Sequence, residues 1–291
     1  MQSHYLFLSL LILISLVLLI SCEIKRGEIM NEIKYLTDYY NNYDEDGRLT
    51  SKYGQVEFLT TMNYINKFLK KGMHILEVGA GTGRYSLTIA EKGFQVDAIE
   101  LIQHNIDIFK SKITESCNIS IKQGNAMDLS CYGAESFDIT LVLGPLYHLF
   151  NEKDKEQAIS EAIRVTKKGG VIFISYCMNE ATVINWGFQK GNIVEGIERG
   201  IVDKNTFKCL SNPSLLFEMY RKEEIDKLML DYNVERLHFV ATDLLTNHMR
   251  DTINQMDEKM FETYLKYHFS ICERSDLIGI THHSLDIFRK K

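Results

Sequence analysis

The sequence predicts an α/β protein: an open, mostly parallel seven-stranded sheet with helices on both faces and a helical insertion lying over it. Three observations predict it. Apolar strand-like runs alternate with segments of helical period from Met73 to Tyr176. The connections between them are short, as in βαβ units. One junction, Ile75-Leu76-Glu77-Val78-Gly79-Ala80-Gly81-Thr82-Gly83-Arg84-Tyr85, passes from apolar residues through an acid into three glycines and on into a helix start. At such a junction a ligand can lie against bare backbone and the positive end of a helix dipole.

The elements follow in order. Gln55 to Leu69 carries Val56, Leu59, Met62, Ile65 and Leu69 at helical spacing, and Gly72 ends it. Met73 to Val78 is the first strand. A helix follows the glycines to Glu91, with Gly93 as its cap. Phe94 to Ile99 is the second strand, with Glu100 at its end. His104 to Glu115 is a helix presenting Ile106, Phe109 and Ile113 on one face. Ile119 to Gln123 is the third strand, and Phe137 to Leu143, apolar enough to be central, is the fourth. Asn151 caps a helix over Glu152–Lys167, and Val171 to Tyr176 is the fifth strand. The pattern then changes. Residues 178–222 read as a lid inserted over the sheet, with no strand between Met178 and Pro213. Glu223 to Asp231 is helical, Val234 to Thr242 a sixth strand, Thr246 to Glu273 one long helical segment, and Ser284 to Phe288 a last strand. Residues 30–291 thus form one domain with an elaboration, within the range of a single large core.

Composition narrows the function. The apolar share is 45% and the charged share 25%, ordinary for a globular protein. Net charge is −6, which argues against nucleic acid as the main partner, since phosphate binding wants a basic surface. The six cysteines form no C-x-x-C pair, which argues against a zinc or redox motif and fits a reducing compartment. Residues 1–29 admit three readings. Tyr5 to Ile20 is almost continuously apolar, right for a signal-peptide core and short for a span. Leu19-Ile20-Ser21-Cys22 resembles a lipoprotein box that would put a lipid, and so a membrane anchor, on Cys22. Met1 to His4, however, has no Lys or Arg. Lys25-Arg26-Gly27-Glu28 is encodable by purines alone and precedes Met30, as a ribosome-binding site precedes a start codon. The favoured expectation is a start at Met30 and a cytoplasmic protein.

Two ligand classes compete for the glycines. A dinucleotide fingerprint, G-x-G-x-x-G, requires its last glycine at Arg84 or at Ser86, and both frames fail. What is present is Glu77-x-Gly79-x-Gly81-x-Gly83. Here the chain resembles the class I S-adenosylmethionine-dependent methyltransferases of the small-molecule branch, whose fold is Rossmann-like, over roughly residues 35–178 and 220–290. Four landmarks carry the resemblance in the right order: Glu77 to Gly83; Glu100; Asn125-Ala126-Met127; and Leu143-Gly144-Pro145-Leu146-Tyr147-His148.

The resemblance implies roles. The glycine loop, Gly79, Ala80, Gly81 and Gly83, passes beneath the methionine part of the cofactor, and Glu77 helps hold its ammonium end. Glu100 accepts the ribose hydroxyls, with Leu101 beside it. Asn125 stands where the family commonly has an Asp that accepts from the adenine amino group; its carbonyl oxygen can still accept. Ala126 and Met127 flank the base, and Gly144 leaves the fourth strand where methyl and acceptor meet. The last segment is not Asn-Pro-Pro-Tyr, which argues against adenine and glutamine as acceptors. Tyr40 and Arg48, in a tyrosine-rich N-terminal segment, close over the cofactor. Transfer is an in-line displacement needing chiefly orientation, with His148 and Tyr147 nearest by position if a base is required. Plainer readings stand beside these: His148 as a helix-start residue, Asn125 as a turn residue, the tyrosines as packing. No metal site is expected, because neighbours such as His282 and His283 face opposite sides of a strand. The expected acceptor is a small molecule. An RNA- or protein-modifying methyltransferase, a non-catalytic S-adenosylmethionine-binding protein and an NAD-linked oxidoreductase are the alternatives.

Overall fold

The computed structural model describes residues 32–291, so the expectations for the leader lie outside the described residues. A helix over 32–40 (α1) and the helix Lys52–Phe68 (α2) precede the sheet. The alternation then runs β1 (His74–Val78), α3 (Arg84–Glu91), β2 (Gln95–Glu100), α4 (Gln103–Lys112), β3 (Ile119–Gln123), β4 (Phe137–Val142), α5 (Glu152–Val165) and β5 (Thr166–Met178). After it come short helices α6 (Asn179–Thr182) and α7 (Ile193–Glu198), β6 (Met219–Tyr220), α8 (Lys222–Met229), β7 (Val234–Ala241), α9 (Arg250–Asn254), α10 (Glu258–Ile271) and β8 (His283–Lys290).

The strands lie in the order β3-β2-β1-β4-β5-β8-β7, with β6 paired to β5 off that path. β1 is parallel to β2 on one side and to β4 on the other. The chain therefore winds outward from β1 to β3 and returns across β1 to β4. The carboxyl ends of β1 and β4 form a topological switch point, where open α/β sheets bind ligands. β1 and β4 are buried on both faces, and Ile75, Leu76, Ile139 and Leu141 are fully excluded from water. That is why these strands read as apolar runs rather than as alternation.

The sheet differs from expectation in three places. Among the described residues it has eight strands, because Met219–Tyr220 pairs with Cys177 and Met178, beyond the last β4–β5 pair at Ile174. β5 starts five residues early: the pairing steps from Phe137↔Thr166 to Ile139↔Val171, and the extra residues form a bulge containing Gly169 at φ 76°. The long helix expected from Thr246 is broken. A 3₁₀ turn over Thr246–Met249 leads into α9, and Asp257 starts a new helix by accepting the Met260 N–H at 2.8 Å.

Glycine spacing sets the turn after β1, and its three glycines do different things. All have positive φ: 74°, 53° and 84° at Gly79, Gly81 and Gly83. A Cβ on Gly79 would strike the Pro145 ring at 2.7 Å, and one on Gly83 the ring of buried Phe109 at 2.2 Å. A Cβ on Gly81 would meet nothing nearer than Glu45 Cγ at 3.6 Å. Gly83→Ala should destabilise the fold by about 2–4 kcal/mol, left-handed strain plus overpacking. Gly72→Ala, with φ 84° but nothing within 4 Å, should cost only about 1–2 kcal/mol. Urea denaturation measures both, and equal losses would mean that Phe109 yields freely.

Candidate functional site

A cavity of about 1200 Å³, including the open solvent at its mouth, lies at the carboxyl ends of β1, β2 and β4. Nearly every residue singled out in the sequence lines it: Tyr40, Arg48, Glu77, Gly79, Ala80, Gly81, Glu100, Leu101, Asn125, Ala126, Met127, Gly144, Tyr147 and His148. Gly83 does not. It forms the left-handed N-cap of α3 and packs on Phe109, so its part is structural.

The loop is held by the neighbouring strand. The N–H groups of Gly79 and Ala80 both donate to the Ile99 carbonyl, at 2.8 and 3.0 Å, and Gly81 N–H donates to Glu100 Oε2 at 2.8 Å. The other oxygen of Glu100 accepts from Ile102 N–H at 2.9 Å and Asn105 Nδ2 at 3.4 Å. Burial raises the Glu100 pKa, and these donors oppose the rise. Glu77 is deeper still. One oxygen accepts the Ser86 N–H at 2.9 Å and the Ser86 hydroxyl, at the start of α3. Burial nonetheless pushes its pKa to about 8. Two buried carboxylates with only neutral donors thus face one cavity. Such groups favour a ligand bringing a cation to one and hydroxyls to the other. Asn125 Oδ1 accepts Met127 N–H at 3.0 Å, the geometry of an Asx-turn. The turn role and a lone pair for a ligand therefore coexist.

The N-terminal segment is fastened by buried charge. Arg48 donates to Glu45 Oε1 at 3.1 Å and to both oxygens of Glu57 at 3.0 and 3.1 Å. Burial opposes the Arg48 charge, but Glu57 and Glu45 outweigh it and hold its pKa well above the ordinary value. Arg48 thus reaches the cavity as a charge already bound. The ring of His148 joins three segments. A carbonyl can only accept, so Nδ1–H donates to Leu216 O at 2.7 Å, and Nε2 accepts the Tyr40 hydroxyl at 2.9 Å. Burial lowers the His148 pKa to about 4. Tyr147 donates to Leu143 O at 3.1 Å, and burial raises its pKa. Both candidate bases are therefore engaged: His148 holds Tyr40 in place, and Tyr147 braces its own turn.

Several residues here carried no sequence signal. Glu45 meets Arg48 three residues on within one turn, whereas Glu57 meets it only through the approach of α2 to the loop before it. Asn105 was closer to hand, five residues beyond Glu100 and one turn into α4. His282 and His283 do not face opposite ways. Their Nδ1 atoms lie 3.1 Å apart, because His282 precedes β8 and Asp243 Oδ1 gathers both backbone N–H groups, at 2.8 and 3.3 Å.

An open sheet with a glycine turn at its switch point and an acid ending the second strand defines a nucleoside-cofactor-binding α/β domain. Known proteins make that more specific. A family profile described as "Methyltransferase domain" matches residues 75–170. The chain is 24% identical over 201 residues to the ubiquinone biosynthesis O-methyltransferase of Stutzerimonas stutzeri (strain A1501), covering 67% of this chain and 84% of that one. To a Bacillus subtilis (strain 168) protein named as a methyltransferase it is 25% identical over 109 residues, 38% of this chain and 44% of the relative. Among solved structures, a SAM-dependent methyltransferase from Methanosarcina mazei shares the fold at TM-score 0.51 and 18% identity, covering 78% of this chain and 96% of that one. The PH0226 protein of Pyrococcus horikoshii OT3 does so at TM-score 0.54 and 15% identity, covering 87% and 99%. The profile over residues 75–170 and the methyltransferase-named relatives support an S-adenosylmethionine-dependent methyltransferase with S-adenosylmethionine as its cofactor, and the solved structures share its fold.

His148 should stay neutral, with its proton on Nδ1, down to about pH 5, given a pKa near 4. The sign follows: a folded pKa below the unfolded value of about 6.5 gives stability that is complete above pH 6.5 and is lost as pH falls toward 4. Nitrogen-15 chemical shifts of the ring check both points. Protonation near pH 6.5 would contradict the Tyr40–His148–Leu216 arrangement.

Proposed function

We propose that this protein transfers the methyl group to a small-molecule acceptor. The observation that carries this is a second cavity, of about 1790 Å³ with its open solvent included, lying beyond Phe217. Phe217 packs on His148 and Tyr147, at ring distances of 5.1 and 6.1 Å, and both of those line the first cavity. The second cavity is walled by Trp186, Leu210 and Leu215 from the segment between β5 and β6 and by His248 and Met249 from the turn before α9. A concave space that opens to solvent, with these apolar walls and with polar groups such as Asn185, Asn247, Arg250 and His282, suits a small polar acceptor. The segment 178–222 would then act as the lid that shapes it. The relatives named as ubiquinone biosynthesis O-methyltransferases support the same reading. A cytoplasmic setting is part of the proposal, supported by five described cysteines that are all free.

The residues fit the cofactor. Glu77 would hold the ammonium, Gly81 would offer open backbone, Glu100 would accept the ribose hydroxyls, and Asn125 with Met127 would border the adenine. When bound, the sulfonium supplies a methyl group already activated for attack. The protein's own work is positional: Tyr40, fixed by His148, and the Arg48 cluster keep α1 over the cavity and exclude water. Since His148 Nε2 is occupied and weakly basic, the acceptor's proton leaves by another route, to water or through the acceptor's own acidity. No limb of the kcat profile should then titrate near pH 6.5.

Calorimetry with S-adenosylhomocysteine tests the cofactor assignments. Gly81→Asp should abolish binding at a cost to the fold of only about 1–2 kcal/mol of left-handed strain, since a Cβ there meets nothing nearer than Glu45 Cγ at 3.6 Å. Glu100→Ala should weaken binding by about 1–3 kcal/mol, the worth of charge-assisted hydrogen bonds. Unchanged affinity in either variant would remove that residue from the site. Glu77 has a pKa of about 8 in the free protein and must ionise to meet an ammonium, so affinity should rise with pH from about 5 to 8. Glu77→Gln should bind more weakly and lose that slope. A small-molecule acceptor is checked by methyl transfer to a panel of phenols, amines and carboxylates, and transfer confined to RNA or protein would contradict it.

A further inference from the structure

We propose a divalent transition-metal site formed by Asp243, His282 and His283, at the edge of the second cavity. One ligand atom from each lies within 4.8 Å of the others. His282 Nδ1 stands 3.1 Å from His283 Nδ1, and Asp243 Oδ2 stands 3.7 Å from His283 Nδ1. Donors bound about 2.0–2.1 Å from a tetrahedral zinc ion are roughly 3.3 Å apart, so these distances are close to the edges of such a site. Two imidazoles directing ring nitrogens at each other compete for one proton, whereas a cation between them accepts a lone pair from each.

The ligands are set in place. Asp243 spends Oδ1 on the backbone N–H groups of His282 and His283 and on the Thr281 hydroxyl, which turns Oδ2 toward the rings. Such fixed carboxylates hold metal sites in register. Glu57 Oε2 lies 3.2 Å from His283 Nδ1, a second carboxylate beside the cluster. Arg48 sits on Glu57, and the charge of Arg250 reaches His282; these are the cations facing the cluster. Two imidazoles and a carboxylate favour zinc or a neighbouring transition ion over magnesium or calcium, which prefer oxygen. His282 lines the second cavity, so a fourth position open on that side could take an oxygen of a small ligand.

The metal proposal does not depend on methyl transfer, and its test does not measure it. The full chain, stripped with chelator, is titrated with Co²⁺ by visible absorption and with Zn²⁺ by calorimetry. One saturable equivalent with ligand-field bands of a low-coordinate site is expected. His282→Ala should lower the affinity at least about tenfold, the scale on which metal sites respond to lost partners. His104→Ala, an exposed histidine on α4, should leave it unchanged. Among the described residues the His282 ring hydrogen-bonds only to His283, so its alanine variant should retain S-adenosylhomocysteine binding and thermal stability. No saturable equivalent in the unsubstituted protein, or unaltered binding in His282→Ala, would overturn the site.

Discussion

The hydrogen bonds that tie the glycine loop to the end of β2 are the constraint on which the site depends. Three successive N–H groups, from Gly79, Ala80 and Gly81, are consumed by the Ile99 carbonyl and the Glu100 carboxylate. That fixes where the chain leaves β1 and turns Gly81 toward the cavity. It also fixes Glu100, whose second oxygen is taken by the start of α4. One carboxylate thus organises two strand-to-helix turns before any ligand arrives. The cost of burying it is offset by local donors, and its remaining lone pairs are left for a ligand.

A second set of buried charges does the same for the segment that covers the site. Arg48 is neutralised by Glu45 and Glu57, and Glu57 is shared with His283 at the start of β8. The covering segment, α2 and the last strand are therefore joined through the buried Glu57 carboxylate, where screening by salt is weak. Pairs of this kind add little net stability over apolar packing, but losing one partner leaves an uncompensated charge. Their value here is in geometry. They place Tyr40 within reach of His148, and His148 in turn holds Leu216.

Much of this was legible in the sequence, and the limits have physical causes. The parallel half of the sheet read clearly because buried central strands are continuous apolar runs. The residues that line the first cavity read clearly because most lie at strand ends, places the pattern itself marks. The glycines could be counted but not told apart, because the clash of Gly83 with Phe109 depends on a helix some twenty-five residues away. The hydrogen bonds of His148 carry no sequence signal for a similar reason: its partners, Tyr40 and Leu216, come from distant segments. Strand periodicity does not place the ring of His282 opposite that of His283, because His282 stands one residue outside β8 and His283 is its first residue. β6 was missed because two residues carry no period at all.

The antiparallel β8 has a consequence for how the molecule is assembled. It pairs with β5 along one edge and with β7 along the other. The other half of the sheet grows from neighbouring βαβ units, so its contacts are fairly local. β8 instead closes a loop of more than a hundred residues onto β5. Loop closure of that length is entropically costly before its contacts form. The order of assembly implied is a parallel half that condenses early and a β5 edge that stays bare until β8 arrives. For that interval an apolar strand edge is open to pairing with another chain, and the speed of β8 docking sets how long the exposure lasts.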